Sequence, residues 1–469
     1  MKSLNILYLL ISLVLLLESC KVSKDVAVPP DATPSAFRGE AIAGDSSIAS
    51  LKIKDFFTNE DILQLIDSAL IKNLDVQVAL KNIESAELLF KQSRLGYLPT
   101  VNLQLSASSN RPSDNSLNGL STSQFLGIKH IEDYNAVLGL SWEADIWGKI
   151  KNQKQAALAS YLQSAEAKKA IQTRIVANVA QGYYQLLMMD AQISVARRNL
   201  ALNDSTLHII KLQFDAGQVT SLAIQQAEAQ RLVAAQIVPQ LEQSIALQEN
   251  GLSVLTGKVP GPIQRNTKLE NLSMPKRLSA GVPSEMVAIR PDVRVADLAL
   301  QVANARVGIS KAGLYPSLTI TANGGLNSLK ASNWFTIPAS LFGNVAGGLT
   351  QPIFQRKQLR TQYDLALVER ERVVIQFRKS VLVALAEVSD ELVKIDKLNQ
   401  QYDLSQQRVA TLQTAVRNAN LLFKNGMATY LEVITAQSNS LQSELELASI
   451  KAAELSAAVE LYRALGGGS

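Results

Sequence analysis

Histidine, cysteine and aromatic side chains are scarce in this chain of 469 residues, which holds two histidines, one cysteine and 5% Phe, Trp and Tyr. With only His130, His208 and a single thiol, no His/Cys metal set and no Cys-His nucleophile pair can be drawn. No catalytic constellation and no cleft-forming alternation of strands and helices emerges either. The expectation is therefore no enzyme, no cofactor and no metal, with both histidines on the surface. Runs of one charge are also missing. The net charge is +5, but Lys and Arg are spread singly among Asp and Glu, which argues for solvated helix faces and against a nucleic-acid partner. Past the N-terminus, no apolar run is long enough for a membrane helix.

What the chain has in quantity is Ala, Leu, Gln, Ser and Val, within an apolar content of 47%. That mixture suits long helices packed through small side chains. At the N-terminus, Lys2 precedes an apolar stretch from Ile6 to Leu17, the core of a secretory signal spanning residues 1–19. It ends in Leu17-Glu18-Ser19-Cys20, which resembles a bacterial lipobox, with Glu18 departing from the usual small or apolar occupant. Cys20 is the expected lipidation site, and a thiol consumed by lipid fits a chain with no other cysteine in an oxidising compartment. Lys21 follows where an Asp would retain a lipoprotein at the inner membrane, so the outer membrane is expected. Residues 20–58 carry Pro29, Pro30, Pro34, Gly39 and Gly44 with little apolar periodicity, and read as a lipidated tether.

The folded body is a duplication. Asp75-Val76-Gln77-Val78 returns as Asp292-Val293-Arg294-Val295 and Gly96-Tyr97-Leu98-Pro99 as Gly313-Leu314-Tyr315-Pro316, both at an offset of 217 (292 − 75 and 313 − 96). Asp145-Ile146-Trp147-Gly148-Lys149 aligns with Pro352-Ile353-Phe354-Gln355-Arg356. Phe214-x-x-Gly217-x-x-Thr220 aligns with Phe423-x-x-Gly426-x-x-Thr429 at an offset of 209 (426 − 217). This divides the body into a first repeat at 59–258, a Pro-rich linker at 259–284 and a second repeat at 285–469.

Each repeat opens with a helix, near 59–94 and 285–311. Period-two stretches follow at 101–108 and 318–323. Return strands are expected at 136–142 and 345–349, through Ser/Asn/Gly-rich loops at 108–133 and 324–340. Two surface hairpins would show the same alternation. Lack of charge on the strands, flanking aromatics such as Tyr97, Tyr134, Trp142, Trp147, Tyr315 and Trp334, and the secretory signal favour strands in lipid. A sheet in lipid must close, and four strands are too few to close alone, so the barrel must be shared between subunits. From Phe377 to Phe423 apolar residues recur in steps of three and four, interrupted at Ser405, which is a coiled-coil seam. A helix from Phe354 to Lys424 would run about 100 Å at the helical rise.

In these motifs the chain resembles the TolC-like outer-membrane factors, and within them the NodT-type lipoprotein branch that serves resistance-nodulation-division efflux systems. The most specific elements are Arg290-Pro291-Asp292-Val293, Asp145-Ile146-Trp147-Gly148-Lys149, Gln351-Pro352-Ile353-Phe354 and the paired F-x-x-G-x-x-T turns. The resemblance implies an α+β membrane protein, a homotrimer with a transmembrane β-barrel of twelve strands, four per chain, joined to a long α-helical coiled-coil barrel in the periplasm. It implies a passive duct for small molecules, fed by a periplasmic adaptor protein and an inner-membrane pump. Gly217, Thr220, Gly426 and Thr429 would form the periplasmic tip where the adaptor docks, with the glycines ending one helix and the threonines capping the next. In the archetype an acidic residue six positions after the glycine of the second turn faces the bore. Here that residue is Glu432, the candidate aperture carboxylate, while Ala223 and Ala428 replace polar residues that hold the archetype's tip closed. A duct for secreted polypeptide shares the fold, and a surface lipoprotein with a coiled-coil stalk and no pore stands as the rival from another class.

Overall fold

The computed structural model describes residues 25–26, 37–38, 47–125, 127–273, 280–281 and 283–468. The expected signal segment, Cys20 and most of the tether lie outside them. Two compact units emerge, one built on 85–162 and 298–375 and the other on the described parts of 29–84, 163–297 and 376–469.

The first unit holds the strands β1 (Thr100–Asn110), β2 (Ile131–Ala144), β3 (Ser317–Ser328) and β4 (Leu341–Thr350). They form one antiparallel sheet in the order β1-β2-β3-β4. The two expected hairpins join into one sheet, because β2 and β3 pair from Tyr134–Ser328 to Ala144–Leu318. The strands also outrun the period-two stretches. β2 takes in Glu132, Asp133 and Glu143, so the strands are not free of charge, and the charges sit at their ends. The loop expected at 108–133 contains a helix, α3 (Leu117–Phe125).

Each repeat opens with two helices rather than one. The first pair is α1 (Glu60–Lys72) and α2 (Leu74–Arg94). The second is α6 (Pro283–Ile289) and α7 (Pro291–Ala312). The breaks fall at Asn73 and Arg290, equivalent positions at the same offset of 217 (290 − 73). Asn73 has extended backbone, and its side chain accepts from the N–H of Asp75 at 2.9 Å and of Val76 at 3.3 Å, capping α2. At the second break, Pro291 occupies the first helical position, where its missing N–H costs nothing.

After the strands come α4 (Lys149–Asp215) with α5 (Ser221–Leu255), and α8 (Gln358–Lys424) with α9 (Tyr430–Ala464). α4 and α8 have 67 residues each, about 100 Å of helix. Within the second unit α5 runs antiparallel to α4, shown by Arg231–Asp204 (2.6 Å) and Arg197–Glu242 (2.9 Å). α9 runs antiparallel to α8 through Arg408–Glu446 and Arg463–Glu387. The α8 seam is buried at Phe377, Val381, Val388, Leu392, Ile395, Val409, Val416 and Phe423. Ser405, its interruption, is buried too.

The core of this unit also begins earlier than the expected boundary at 59. Phe37, Ile48, Phe56 and Phe57 are all buried in it, and Phe56 stacks on Tyr462 with ring centroids 4.2 Å apart. The segment before Asn59 is therefore strapped to the body and is not a free tether over its described length. Farther up, Val26 exchanges two hydrogen bonds with the Asn304 side chain, at 3.4 and 3.2 Å, in the first unit. No helix among the described residues is long and apolar enough to cross a membrane.

Candidate functional site

The sheet register sorts its side chains into two unlike faces. One cross-strand row reads Leu103, Leu138, Gly324, Gly343, and the adjacent row reads Asn102, Gly139, Asn323, Asn344. By the two-residue period, the first face carries Val101, Leu105, Leu140, Trp142, Ile320, Val345 and Leu349, and the second Gln104, Ser106, Ser141, Thr319 and Thr321. The apolar face is bare: Val101, Leu103, Leu105, Leu138, Val345 and Leu349 are all exposed. An apolar surface this continuous calls for lipid or another chain. The polar face carries charge only at the strand ends. Asp133 accepts from Asn135 at 2.5 Å and from Asn327 at 2.7 Å, and Glu143 pairs with Lys149 at 3.0 Å.

Aromatic rings bracket the apolar band. At one end the Trp142 indole N–H donates to the Tyr97 carbonyl at 2.8 Å, and that of Trp147 to the Pro316 carbonyl at 2.7 Å. Trp147 also stacks on Tyr315. At the other end Tyr134 lies 5.5 Å from Trp334, centroid to centroid. Tyr134 and Trp142 are eight residues apart on one strand face, about 26 Å of chain and roughly 20 Å of membrane depth at a barrel's usual tilt. That depth matches the lipid band of an outer-membrane barrel. β1 and β4, however, each present one unpaired edge, and unsatisfied backbone groups in hydrocarbon cost several kcal/mol apiece. The sheet suits lipid only when further strands close it.

The helix reversals are built by the two paired motifs. Gly217 and Gly426 adopt φ of +69° and +72°. After Gly217 the N–H of Gln218 donates back to the Gln213 carbonyl at 2.8 Å, and after Gly426 the N–H of Met427 donates to Leu422 at 2.8 Å. These are left-handed helix stops that satisfy the last carbonyls. Phe423 is buried with Leu207, Ile210, Ala223, Ala227 and Val433 in a small core behind the turns.

The expected threonine caps prove unequal. Thr220 makes no side-chain cap to α5. At the second turn Glu432, third residue of α9, accepts from the Thr429 N–H at 2.6 Å and from its hydroxyl at 3.0 Å. This is the carboxylate arm of a capping box. The Thr429 N–H first, and its hydroxyl next, hold the Glu432 carboxyl below the usual glutamate range. The equivalent residue of the first repeat is Ala223, which is buried and has no such reach. Sequence reasoning missed Met427, whose side chain is exposed at the second turn.

It also missed what Arg290 touches. Buried at 2% exposure, Arg290 holds Asp292 through two bonds of 2.7 and 2.9 Å, pairs with Glu387, and donates to the Ala464 carbonyl at 2.9 Å. Arg463 joins Glu387 at 3.0 Å. This network ties the second repeat's opening helices to α8 and to the end of α9. The linker is tied similarly. Arg265 pairs with Asp190 and Glu249, and Asp61 accepts from Tyr183 and twice from Asn266, each at 2.9 Å. Burial opposes ionisation of Asp61, but the Asn266 N–H and the two side-chain donors outweigh it and hold the carboxyl below its ordinary value. Among the described residues no group of His, Cys, Asp and Glu could hold a metal ion.

A family model described as outer membrane efflux protein matches residues 65–258 and 282–467. The chain is similar to the probable efflux pump outer membrane protein SepC of Pseudomonas putida strain F1, at 30% identity over 98% of this chain and 96% of that protein. It is 26% identical to the probable outer membrane lipoprotein SilC of Salmonella typhimurium, over 98% of each. Among solved structures, the open state of the Neisseria gonorrhoeae MtrE outer membrane channel superposes with a TM-score of 0.83 at 25% identity, covering 95% of this chain and 97% of that one.

Proposed function

The chain belongs to the outer membrane efflux protein family and is the outer-membrane channel component of an efflux system; on that premise we propose that it works as a homotrimeric passive duct. Three copies join β1 of one to β4 of the next, so that their polar faces line one water-filled barrel and their apolar faces meet lipid. The chain sits in the outer membrane. Cys20 carries the lipid anchor. The helices stand in the periplasm, where the Gly217 and Gly426 turns meet a periplasmic adaptor protein coupled to an inner-membrane pump. Small molecules pass down the bore without chemistry in the duct, and the pump supplies the energy.

The observation that carries this reading is the two-faced sheet with both edges unpaired. A stalk without a pore has no use for a polar strand face opposite an apolar one. Purified protein added to a planar bilayer should open channels, and light scattering in detergent should give the mass of three chains. A monomer with full β-content and no conductance would sink the proposal.

A further inference from the structure

Two apolar surfaces remain uncovered at the same end of the sheet, one in each hairpin loop. In the first loop α3 is inside out. Gly119 and Thr122 are its buried residues, and Gly119 lies so close to the loop's own start that a Cβ there would sit 2.1 Å from the Ser113 carbonyl oxygen. Leu117 and Leu120 lie on the side away from this buried pair and Phe125 ends the helix on its flank, with Leu117 80% and Phe125 85% exposed. An ordinary surface helix turns its apolar stripe inward. In the second loop Leu329, Phe335 and Ile337 are likewise exposed. That loop has a definite shape, since Ser340 bonds the Asn333 carbonyl at 2.6 Å and the Thr336 N–H bonds the same carbonyl at 3.0 Å.

These loops belong to the strands that carry the free edges. The first leaves β1 at Asn110, and the second enters β4 at Leu341. Within one chain the two loops adjoin where β2 begins and β3 ends, with Trp334 of the second loop 5.5 Å from Tyr134, yet the apolar residues named above stay exposed. When β1 of one copy pairs with β4 of the next, the meander continues antiparallel, and Asn110 of one copy comes beside Leu341 of its neighbour. We infer that the apolar side of α3 in each copy docks on the Leu329–Ile337 loop of the adjacent copy, so that a hydrophobic clasp locks each barrel seam at its outer end. This inference rests on the trimeric reading and adds to it a contact that strand pairing alone does not require. The occupant is a second copy because both patches adjoin the two edges that only another copy can complete.

The test is a double variant, Phe125→Cys with Ile337→Cys, treated with a short bismaleimide in detergent and run under denaturing conditions. The clasp predicts covalent dimers and trimers from the double variant and only monomers from each single variant. Light scattering on the same samples reports assembly. A trimer by scattering that gives no covalent ladder overturns the clasp and leaves the duct standing, whereas absence of the trimer overturns the duct itself. Trimer-wide linking by Phe125→Cys alone would place α3 at the threefold axis and also overturn the clasp. As a second readout, Leu117→Asp with Phe125→Asp should lower the temperature at which the trimer separates in dodecyl sulfate. An unchanged temperature counts against the clasp, because exposed residues turned only to water would not move it.

Discussion

Arg290 donates to the carbonyl oxygen of Ala464 at 2.9 Å, and its equivalent Asn73 donates to the carbonyl oxygen of Leu255 at 2.9 Å. The acceptors are equivalent as well, 209 residues apart (464 − 255). In each repeat the residue that breaks the opening helix pair satisfies a carbonyl at the end of the returning helix, where orphan acceptors would otherwise need water. The duplication has kept the bond and changed the donor.

The two donors predict unequal losses. Arg290→Met strands Glu387 and Asp292 beside a buried cavity, but both carboxylates keep some access to water, so the cost should be about 3 kcal/mol. Arg290→Lys should recover little, because one ammonium cannot serve two carboxylates and a carbonyl in a planar fork. Asn73→Leu loses the α2 cap and the Leu255 bond, about 2 kcal/mol. Thermal loss of the helical circular-dichroism signal in detergent should order the variants as Arg290→Met, then Asn73→Leu, then wild type. Equal midpoints for all three would show that the bonds do not hold the repeats.

At the second helix turn Met427 is 76% exposed, and in the proposed duct it faces the adaptor. Met427→Asp should therefore reduce capture of the adaptor by at least tenfold while leaving the trimer intact. Gly426→Ala is a useful control. Nothing lies within 4 Å of a Cβ placed there, so its cost is only the left-handed backbone, about 1 kcal/mol. If Met427→Asp captures adaptor as wild type does, docking at this turn is wrong.

Cys20 lies outside the described residues, and its lipidation is a claim about chemistry alone. Mass spectrometry of the mature chain should find an acylated cysteine as the first residue. Cys20→Ala should still give trimers, since strand closure attaches the barrel to lipid independently. Cleavage at another residue with an unmodified thiol would remove the anchor from the proposal.

Much of this fold was legible because its signals are local. The period-two stretches marked β1 and β3, the return strands expected after their loops fell on β2 and β4, and the F-x-x-G-x-x-T spacing marked both reversals, because a left-handed glycine leaves the same short signature each time. The break at Asn73 was not legible. A single Asn costs a helix little by propensity, and the partner that decides the break lies 182 residues away. Phe37 and Ile48 were invisible as core for a related reason. Isolated apolar residues among Pro and Gly have no periodicity, and only the packed body shows where they land. α3 escaped notice because its apolar stripe is short and its loop composition pointed to a turn.

Glu432 is a candidate site residue whose chemistry the structure complicates. Its carboxylate is exposed yet already bonded to the Thr429 N–H and hydroxyl. A closed trimer would bring three such groups toward one axis, and like charges in a narrow passage attract multivalent cations. Two effects must then be separated, the cap and the charge. Glu432→Gln keeps an acceptor for the Thr429 N–H and removes the charge, whereas Glu432→Ala removes both. Multivalent cations added on the periplasmic side should reduce single-channel conductance in wild type and do so less in both variants. Ala223 occupies the matching place in the first repeat, so no second ring of this origin compensates. The pH dependence follows from the depressed pKa. The carboxylate stays charged above its ordinary range and through it, so block and cap should persist as pH falls past the usual glutamate value and disappear only below it. Block of Glu432→Gln equal to that of wild type would mean that the carboxylate serves the helix cap alone.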